Sequence, residues 1–157
     1  MGKKTQQKKE NQRRKQNLRQ EVQAVYDHLP RINCKGLCHA SCGPIPVFAA
    51  EVDSMAAATA FPVRSQLATL PEPKDSFVLL PRFEDEDDNP NANCPLLRHN
   101  RCTIYEQRPF ICRIYGTSEG IRCPHGCEPE WVLSREEAAT LIDEMDELSS
   151  LVKIKGI

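Results

Sequence analysis

The segment CPLLRHNRCTIYEQRPFICR, residues 94–113, places three cysteines close together and predicts the most compact part of the fold. Apolar residues flank the polar triplet Arg98–Asn100, and asparagine readily takes the positive φ of a tight turn, so we expect a hairpin here. Pro109 suits the first turn of a helix, and Gly116 suits the position just beyond its end. These signals predict a short helix that carries Cys112 and lies beside the hairpin.

The cysteines fall into two tight clusters along the chain. Three lie within residues 34–42, and five lie within residues 94–127. Thiolates are soft donors that suit zinc and iron–sulfur centres, and each centre usually takes four protein ligands. Eight thiols therefore predict two centres, or one centre with several bystander cysteines. The predicted metal ligands are Cys34, Cys38, Cys42, Cys94, Cys102, Cys112, Cys123 and Cys127.

The spacing of the cysteines favours an iron–sulfur cluster as the cofactor, with Zn²⁺ as the alternative. Tetrathiolate zinc sites usually contain Cys-x-x-Cys pairs, and this sequence has none. Cys94 and Cys123 each precede a proline, an arrangement also found beside ferredoxin clusters. Disulfides and inert buried thiols are the other interpretations, but eight thiols in two clusters are an uncommon way to fill a core.

The first residues of the sequence predict no secretory export signal. Residues 1–10, MGKKTQQKKE, lack the apolar core of a secretory signal. No stretch approaches the ~20 apolar residues of a membrane span, so we expect a cytoplasmic protein without a membrane partner. Stable disulfides are disfavoured in a reducing cytosol, which strengthens the prediction of metal binding.

Hydrophobic periodicity predicts further elements outside the cysteine segments. Residues 18–29 repeat at helical spacing, and Ser134 with Glu137 forms a capping box before an amphipathic helix near the C-terminus. The Ala-rich residues 47–60 predict another helix, and Phe77–Leu80 predicts a strand.

Together these elements predict a small α+β domain with a short hairpin and several helices organised around a metal centre. A basic N-terminal helical arm precedes it. The predicted boundaries are a basic arm and helix at 1–29, a cysteine-cluster metal-binding domain at 30–130 and an amphipathic helix at 131–157. Because distant ligands must converge, we expect folding and metal binding to be coupled.

The charge of the chain is polarised although its net charge is −1. Residues 1–20 carry eight Lys/Arg and one acid, a sum of +7, and the remainder sums to −8. Such an arm can contact nucleic-acid phosphates or an acidic protein, although no aromatic residues interleave its basic ones for base stacking. The acidic run Glu84–Asp88 lacks calcium-loop spacing and is interpreted as a solvated loop.

Two segments resemble a known family of cysteine-cluster proteins. Residues 94–113 resemble its signature Cys-x-x-Leu…Cys-x-Ile-Tyr-x-x-Arg-Pro-x-x-Cys-Arg, and residues 34–47, CKGLCHASCGPIPV, resemble its N-terminal cluster. The family is known as the putative zinc- or iron-chelating domain, of CxxCxxCC type. Across residues 30–130, the resemblance implies a strand at Val47 and a helix bearing Glu51. The ligands that it implies are Cys34, Cys38, Cys42, Cys94, Cys102 and Cys112.

The first cluster departs from the family pattern. The family has two-residue gaps that end in adjacent cysteines, whereas this chain has three-residue gaps, and Gly43 follows Cys42. One ligand of the pattern is therefore missing, and Cys123 or Cys127 could replace it.

Five polar residues near the cysteines have two interpretations each. His39, His99 and His125 either replace a thiolate, as in Cys₃His sites, or hydrogen-bond to the ligands, and the excess of cysteines favours the second. Arg108 and Arg113 either offset the negative charge of a thiolate cluster or pair with acidic side chains.

Metal binding with a structural or redox role is the predicted function. One alternative is a cluster-dependent enzyme for electron or group transfer. The family includes a flagellin lysine methylase, but this chain lacks a Gly-rich loop after a strand that would suggest an S-adenosylmethionine site. Another alternative is a metal-stapled adaptor that binds nucleic acid or a protein partner through residues 1–20.

Overall fold

The computed structural model describes residues 2–37, 39, 42, 46–59, 68–69, 77–79, 94 and 96–152. Within these ranges the α-helices are α1 (Gly2–Asp27), α2 (Val52–Ala58), α3 (Phe110–Ile114) and α4 (Arg135–Ser150). The strands are β1 (Pro46–Phe48), β2 (Ala68–Thr69), β3 (Phe77–Leu79), β4 (Leu97–Arg98), β5 (Arg101–Cys102), β6 (Thr117–Ser118) and β7 (Ile121–Arg122). Two 3₁₀ helices, Ala49–Glu51 and Tyr105–Gln107, precede α2 and α3.

The strands form one three-stranded antiparallel sheet, in the order β1-β3-β2, and two separate hairpins. Val47 of β1 lies opposite Val78 of β3, and Ala68 of β2 lies opposite Leu79. The hairpins pair β4 with β5 and β6 with β7. Helices and short antiparallel strands occur together, so the predicted α+β class and the predicted N-terminal helix are confirmed.

The hairpin predicted from residues 94–113 is confirmed. Leu97 pairs with Cys102 across it, and His99 and Asn100 take positive φ angles of 48° and 61° at the turn. The predicted short helix is α3, which begins directly after Pro109 and carries Cys112. Gly116, with a φ of 85°, follows the end of α3 as its position indicated. The β6–β7 hairpin was not predicted, because two-residue strands show no alternating pattern.

The predicted helix at residues 47–60 is wrong at its N-terminal end. The α-helix begins only at Val52, because Val47 and Phe48 pair with β3 and a 3₁₀ turn follows them. Pairing with a distant strand overrides the helical propensity of the alanines. The arrangement matches the strand and Glu-bearing helical segment that the family resemblance implies. The acidic run Glu84–Asp88 lies outside the described residues.

Two apolar clusters form the core of the described chain. The first joins α1, β1, α3 and α4, and its Phe48 and Phe110 rings meet edge to face with centroids 5.7 Å apart. The second lies between α2 and the β4–β5 hairpin and contains Met55 and Ile104. Cys94 and Cys102 pack against this second cluster, so the core itself positions part of the cysteine set. No described helix has the length and apolar character of a membrane span.

Glu51 is a carboxyl group without solvent exposure at the junction of α1, β1 and α3. It accepts hydrogen bonds from the N–H of Phe48 at 3.0 Å, from the N–H of Phe110 at 2.5 Å and from the hydroxyl of Tyr26. Burial raises the pKa of Glu51 to about 7, although these donors pull it downward. The Arg113 guanidinium lies 4.1 Å from the centre of the Tyr26 ring and extends the network.

The capping box predicted at the start of α4 is confirmed. Ser134 Oγ accepts the N–H of Glu137 at 3.1 Å, and the Glu137 carboxylate accepts the N–H of Ser134 at 2.8 Å. Ser134→Ala leaves a helix N–H without this partner, so we expect the free energy of unfolding to fall by about 1 kcal/mol in urea denaturation. The exposed Ser150→Ala at the other end of α4 is the control and should change it by less than about 0.5 kcal/mol. Equal losses in the two variants would contradict this assignment.

The pKa of Glu51 also predicts a pH dependence of stability. The ordinary value is 4.5 and the folded value is about 7, so between them the folded state holds a proton that the unfolded state has released. The stability that this group contributes is complete below pH 4.5 and is lost as the pH rises towards 7. Glu51→Gln removes the titrating group. The free energy of unfolding of the wild type, relative to that of Glu51→Gln, should therefore fall by on the order of 2–3 kcal/mol between pH 5 and pH 8.

Denaturation curves of the two proteins across this pH range measure that difference. Tyr26→Phe keeps the carboxyl group but removes a donor that lowers its pKa, so the decline should persist and extend to higher pH. A constant difference between wild type and Glu51→Gln at every pH would contradict the raised pKa.

Candidate metal centre

One cavity of about 720 Å³ lies where the two cysteine clusters of the sequence meet. No disulfide joins any two of the seven cysteines that the structure describes. Cys38 lies outside the described residues. Six of the seven line this cavity, and they are Cys34, Cys42, Cys94, Cys102, Cys112 and Cys123.

The first set of thiols, here called the inner thiol group, comprises Cys42, Cys94, Cys102 and Cys112. Cys102 lies on β5 and Cys112 on α3, so the hairpin and the helix predicted from the sequence each provide one. The N–H of Cys94 donates to the carbonyl of Cys42 at 3.0 Å, which joins the two cysteine clusters of the sequence. All four side chains are half-buried.

The thiols of the inner group lie close enough to influence one another's protonation. Burial raises the pKa of Cys112 far above its ordinary value, and the charges of Cys94, Cys102 and Cys42 raise it further. Burial likewise raises the pKa of Cys94 and Cys102, although the N–H groups of the residues two positions on donate to their sulfurs and lower it. Mutual repulsion of this kind is what a bound cation relieves, because a coordinating thiol is deprotonated outright.

The second set, here called the loop thiol group, comprises Cys34, Cys123 and the buried Cys127. The N–H of Lys35 donates to Cys127 Sγ at 3.4 Å, and the Lys35 ammonium group donates to the carbonyl of His125 at 3.5 Å. The charge of Cys34 reaches Cys127 and acts on its pKa. Segments about ninety residues apart along the chain therefore meet at these sulfurs.

The turn that carries Cys123 and Cys127 directs backbone N–H groups towards the sulfur of Cys123. The N–H groups of Cys127 and His125 donate to the Cys123 sulfur and lower the pKa of its thiol. Gly126 has a φ of 68°, which glycine adopts without strain. The turn thus has a backbone suited to holding a thiolate that binds metal.

Backbone contacts hold the two loops of the loop thiol group together. Ile32 forms a β-bridge with Pro129, and the N–H of Glu130 donates to the carbonyl of Arg31 at 2.9 Å. A Cβ at Gly116 would lie 3.0 Å from Ile32 Cδ1 and 3.3 Å from the Cβ of Cys123. The absence of a side chain at Gly116 therefore allows both loops to approach.

The two arginines that flank Cys112 have different surroundings. Arg108 lines the cavity, stacks on Tyr105 at 4.0 Å, and its charge lowers the pKa of Cys102. Arg113 donates to the carbonyls of Arg108 and Glu106 and stacks on Tyr26. The charge-compensation interpretation therefore fits Arg108, whereas Arg113 contacts backbone oxygens and an aromatic ring.

The donor set fits a thiophilic metal, but the sulfur atoms are not yet gathered around one point. Soft thiols converge on one cavity, and backbone N–H groups already donate to several of them. In the described part of the chain, no three cysteine, histidine, aspartate or glutamate side chains are placed to hold one ion.

The division of the cysteines into two groups is what the sequence left open. It depends on the contacts of Lys35 with residues 123–127, which no local pattern reveals. The one available signal was the Cys-Pro-His-Gly-Cys spacing at 123–127, since proline and glycine predict a tight turn that brings its two thiols together.

Comparison with known proteins identifies the family of the chain. No curated protein and no solved structure matches the chain. A family model matches residues 33–140, which is more than half of the chain and includes all eight cysteines. Its description is that of a putative zinc- or iron-chelating domain. The resemblance seen in the sequence is therefore confirmed, and the chain belongs to the CxxCxxCC family of zinc- or iron-chelating domains.

Proposed function

We propose that this chain is a metal-binding protein whose inner thiol group holds an iron–sulfur cluster with a structural or redox role. The observation that carries the proposal is the convergence of Cys42, Cys94, Cys102 and Cys112 on one cavity, with mutual effects on their pKa values. Four thiolates are the usual ligand set of such a cluster. The family description supports metal chelation as the general function.

Several features favour iron–sulfur over the alternative, Zn²⁺. The sequence has no Cys-x-x-Cys pair, and prolines follow Cys94 and Cys123. Backbone N–H groups donate to the sulfurs of Cys94 and Cys102, and hydrogen bonds to sulfur are one means by which proteins set cluster potentials. The positive charge of Arg108 beside Cys102 offsets the negative charge of an all-thiolate cluster.

A structural role follows from where the inner ligands lie. Cys94 and Cys102 pack against the second apolar cluster, Cys112 lies on α3, and Cys42 belongs to the first cysteine cluster. A metal shared by these residues would cross-link the hairpin, the helix and the upstream loop. Binding free energy would then contribute directly to folding.

The loop thiol group offers three ligands for a second centre, namely Cys34, Cys123 and Cys127. Tetrahedral thiolate sites take four ligands. The fourth must come from a donor near these residues, and Cys38 is the remaining cysteine of the chain. We therefore propose all eight cysteines as candidate ligands.

Metal analysis of anaerobically purified protein tests the proposal. We expect a brown protein that contains iron and sulfide and absorbs near ~400 nm. A colourless protein with stoichiometric zinc would select the alternative metal. A compactly folded protein that holds neither metal would contradict metal binding altogether.

The grouping of the thiols predicts separable effects of two matched variants. Cys112→Ser should remove the metal of the inner group and lower stability by several kcal/mol, because a structural ligand is lost. Cys123→Ser should remove only the metal of the loop group, so each variant is the control for the other. Elemental analysis and melting temperature measure both effects. A Cys112→Ser protein with wild-type metal content and melting temperature would contradict the role of Cys112.

A second candidate function is an adaptor that binds nucleic acid or an acidic protein through its basic arm. The observation that favours it is the exposure of every residue from 2 to 17 on α1. Lys15 of this segment pairs with Asp53 at 3.1 Å, at the point where the arm meets the body. A helix that displays this density of positive charge suits a polyanion.

Charge reversal on the arm tests the adaptor. Changing Lys8, Lys9, Arg13 and Arg14 to glutamate should abolish salt-sensitive binding to a DNA or RNA duplex, measured by fluorescence anisotropy across a salt series. The matched control changes four neutral residues of the same arm to alanine, namely Gln6, Gln7, Gln12 and Gln16. Binding that survives the charge reversal, or wild-type protein that binds neither nucleic acid, would contradict a nucleic-acid role.

A further inference from the structure

The cavity beside the thiols has more room than a metal centre fills. Its volume of about 720 Å³ lies within the ~300–1,000 Å³ of small-molecule pockets. A thiolate-bound metal keeps its sulfur ligands at ~2.3 Å, so it occupies only a part of this space. Apolar side chains also line the cavity, and Leu37, Leu97 and Ile111 among them have no donor for a metal. Space and apolar surface are therefore left for an organic molecule.

The charged side chains that line the cavity are all basic. Among its described lining residues these are Lys35, Arg101 and Arg108, and neither aspartate nor glutamate occurs there. Residues 21–157 sum to −8, so this lining has the opposite charge to the body that contains it. In the described part of the chain, none of the three cations forms an ion pair with a carboxylate. The cavity therefore offers unneutralised positive charge to a ligand.

Two of these cations lie close to the same thiol. Arg101 directly precedes Cys102 on β5, and the charge of Arg108 lowers the pKa of Cys102. The Arg108 guanidinium is held in place, because it stacks on the Tyr105 ring at 4.0 Å and donates from Nη1 to the Tyr105 carbonyl at 3.0 Å. A guanidinium carries several N–H donors in a planar fork that matches a carboxylate or phosphate group. A fork fixed in this way is preorganised for an anionic group.

One buried polar atom of the lining also lacks a partner. Of the buried side-chain nitrogen and oxygen atoms in the described ranges, only His39 Nδ1 has no hydrogen bond. His39 lines the same cavity. A buried polar atom left unpaired is costly, so it calls for an explanation in its surroundings. An occupant of the cavity that carries a hydrogen-bonding group can supply the missing partner.

We propose that this cavity binds a small organic anion, whose carboxylate or phosphate group pairs with Arg101 and Arg108 and whose apolar part packs against the aliphatic side chains of the lining. The inference goes beyond the proposed function, because it depends on the cavity and its charges and not on a bound metal. Charge compensation of a thiolate cluster accounts for Arg108. It does not account for the volume of the cavity or for its apolar lining.

Isothermal titration calorimetry of the anaerobically purified full chain tests this inference. The two probes are naphthalene-1-acetate and its neutral amide, naphthalene-1-acetamide, which have nearly the same shape. Because only the carboxylate can form charge-assisted hydrogen bonds with the arginines, we expect it to bind at least about tenfold more tightly than the amide.

Three single substitutions locate the bound probe. Arg101→Gln and Arg108→Gln should each weaken binding of the carboxylate by about tenfold, because each removes a charged partner. Arg98→Gln is the matched control, since Arg98 lies opposite Arg101 on the same hairpin but outside the cavity lining. It should change the affinity by less than about twofold. Metal content is measured for every variant, and if Arg108→Gln loses metal, the exposed Arg101 decides the test.

The outcomes separate this inference from the proposed function. Equal binding of the two probes, or binding of neither, would overturn the inference and leave metal binding intact. A preference for the carboxylate that survives both arginine substitutions would also overturn it, because the basic arm would then explain the preference. A chain that holds no metal and still binds naphthalene-1-acetate through these arginines would contradict the proposed function and support the inference.

Discussion

One buried carboxyl group connects the elements on which the thiols depend. Glu51 has no contact with solvent, and burial of a polar group is tolerated only when hydrogen bonds replace water. Tyr26 of α1, Phe48 of β1 and Phe110 of α3 supply those bonds. Because Phe110 precedes Cys112 by two residues, the same carboxyl group that joins the core also fixes the start of the helix bearing a candidate ligand. Protein contacts therefore contribute to the position of α3 independently of any metal.

The two thiol groups rest on different kinds of support. The inner group lies on a hairpin and a helix that pack against the apolar clusters. The loop group lies on two connecting segments, joined by the Ile32–Pro129 bridge and a few backbone hydrogen bonds. Metal binding would therefore add more order to the loop group than to the inner group, because the inner group already has a core behind it.

Local signals predicted the parts of the fold that depend on neighbouring residues. The turn at Asn100, the helix after Pro109 and the box at Ser134 each follow from residues within a few positions of one another. The start of α2 does not follow from nearby residues, because the preceding strand β1 pairs with β3, which lies about thirty residues away in the sequence. The family resemblance placed Glu51 on its element but revealed none of its hydrogen-bond partners.

The sequence predicted which residues form the candidate site, but it did not predict how they are grouped in space. The sequence named the cysteines as ligands, since clustered thiols have few other uses in a small chain. It could not divide them, because the division depends on contacts between segments that are far apart, such as Lys35 with Cys127. Nothing in the sequence reveals that, among the described residues, the buried His39 Nδ1 lacks a hydrogen-bond partner.

The length of α1 gives the whole molecule an electrical polarity. At 1.5 Å per residue its 26 residues form a rod of about 39 Å, with positive charge along its outer part and an acidic body at its base. This separation of charge gives the protein a permanent dipole. In the electric field of a polyanion the dipole orients the protein so that α1 points towards the polyanion and the thiol-bearing body points away from it. The rod is several times longer than the ~8 Å screening distance in physiological salt. Salt therefore screens the repulsion between the acidic body and a polyanion that contacts the far end of α1.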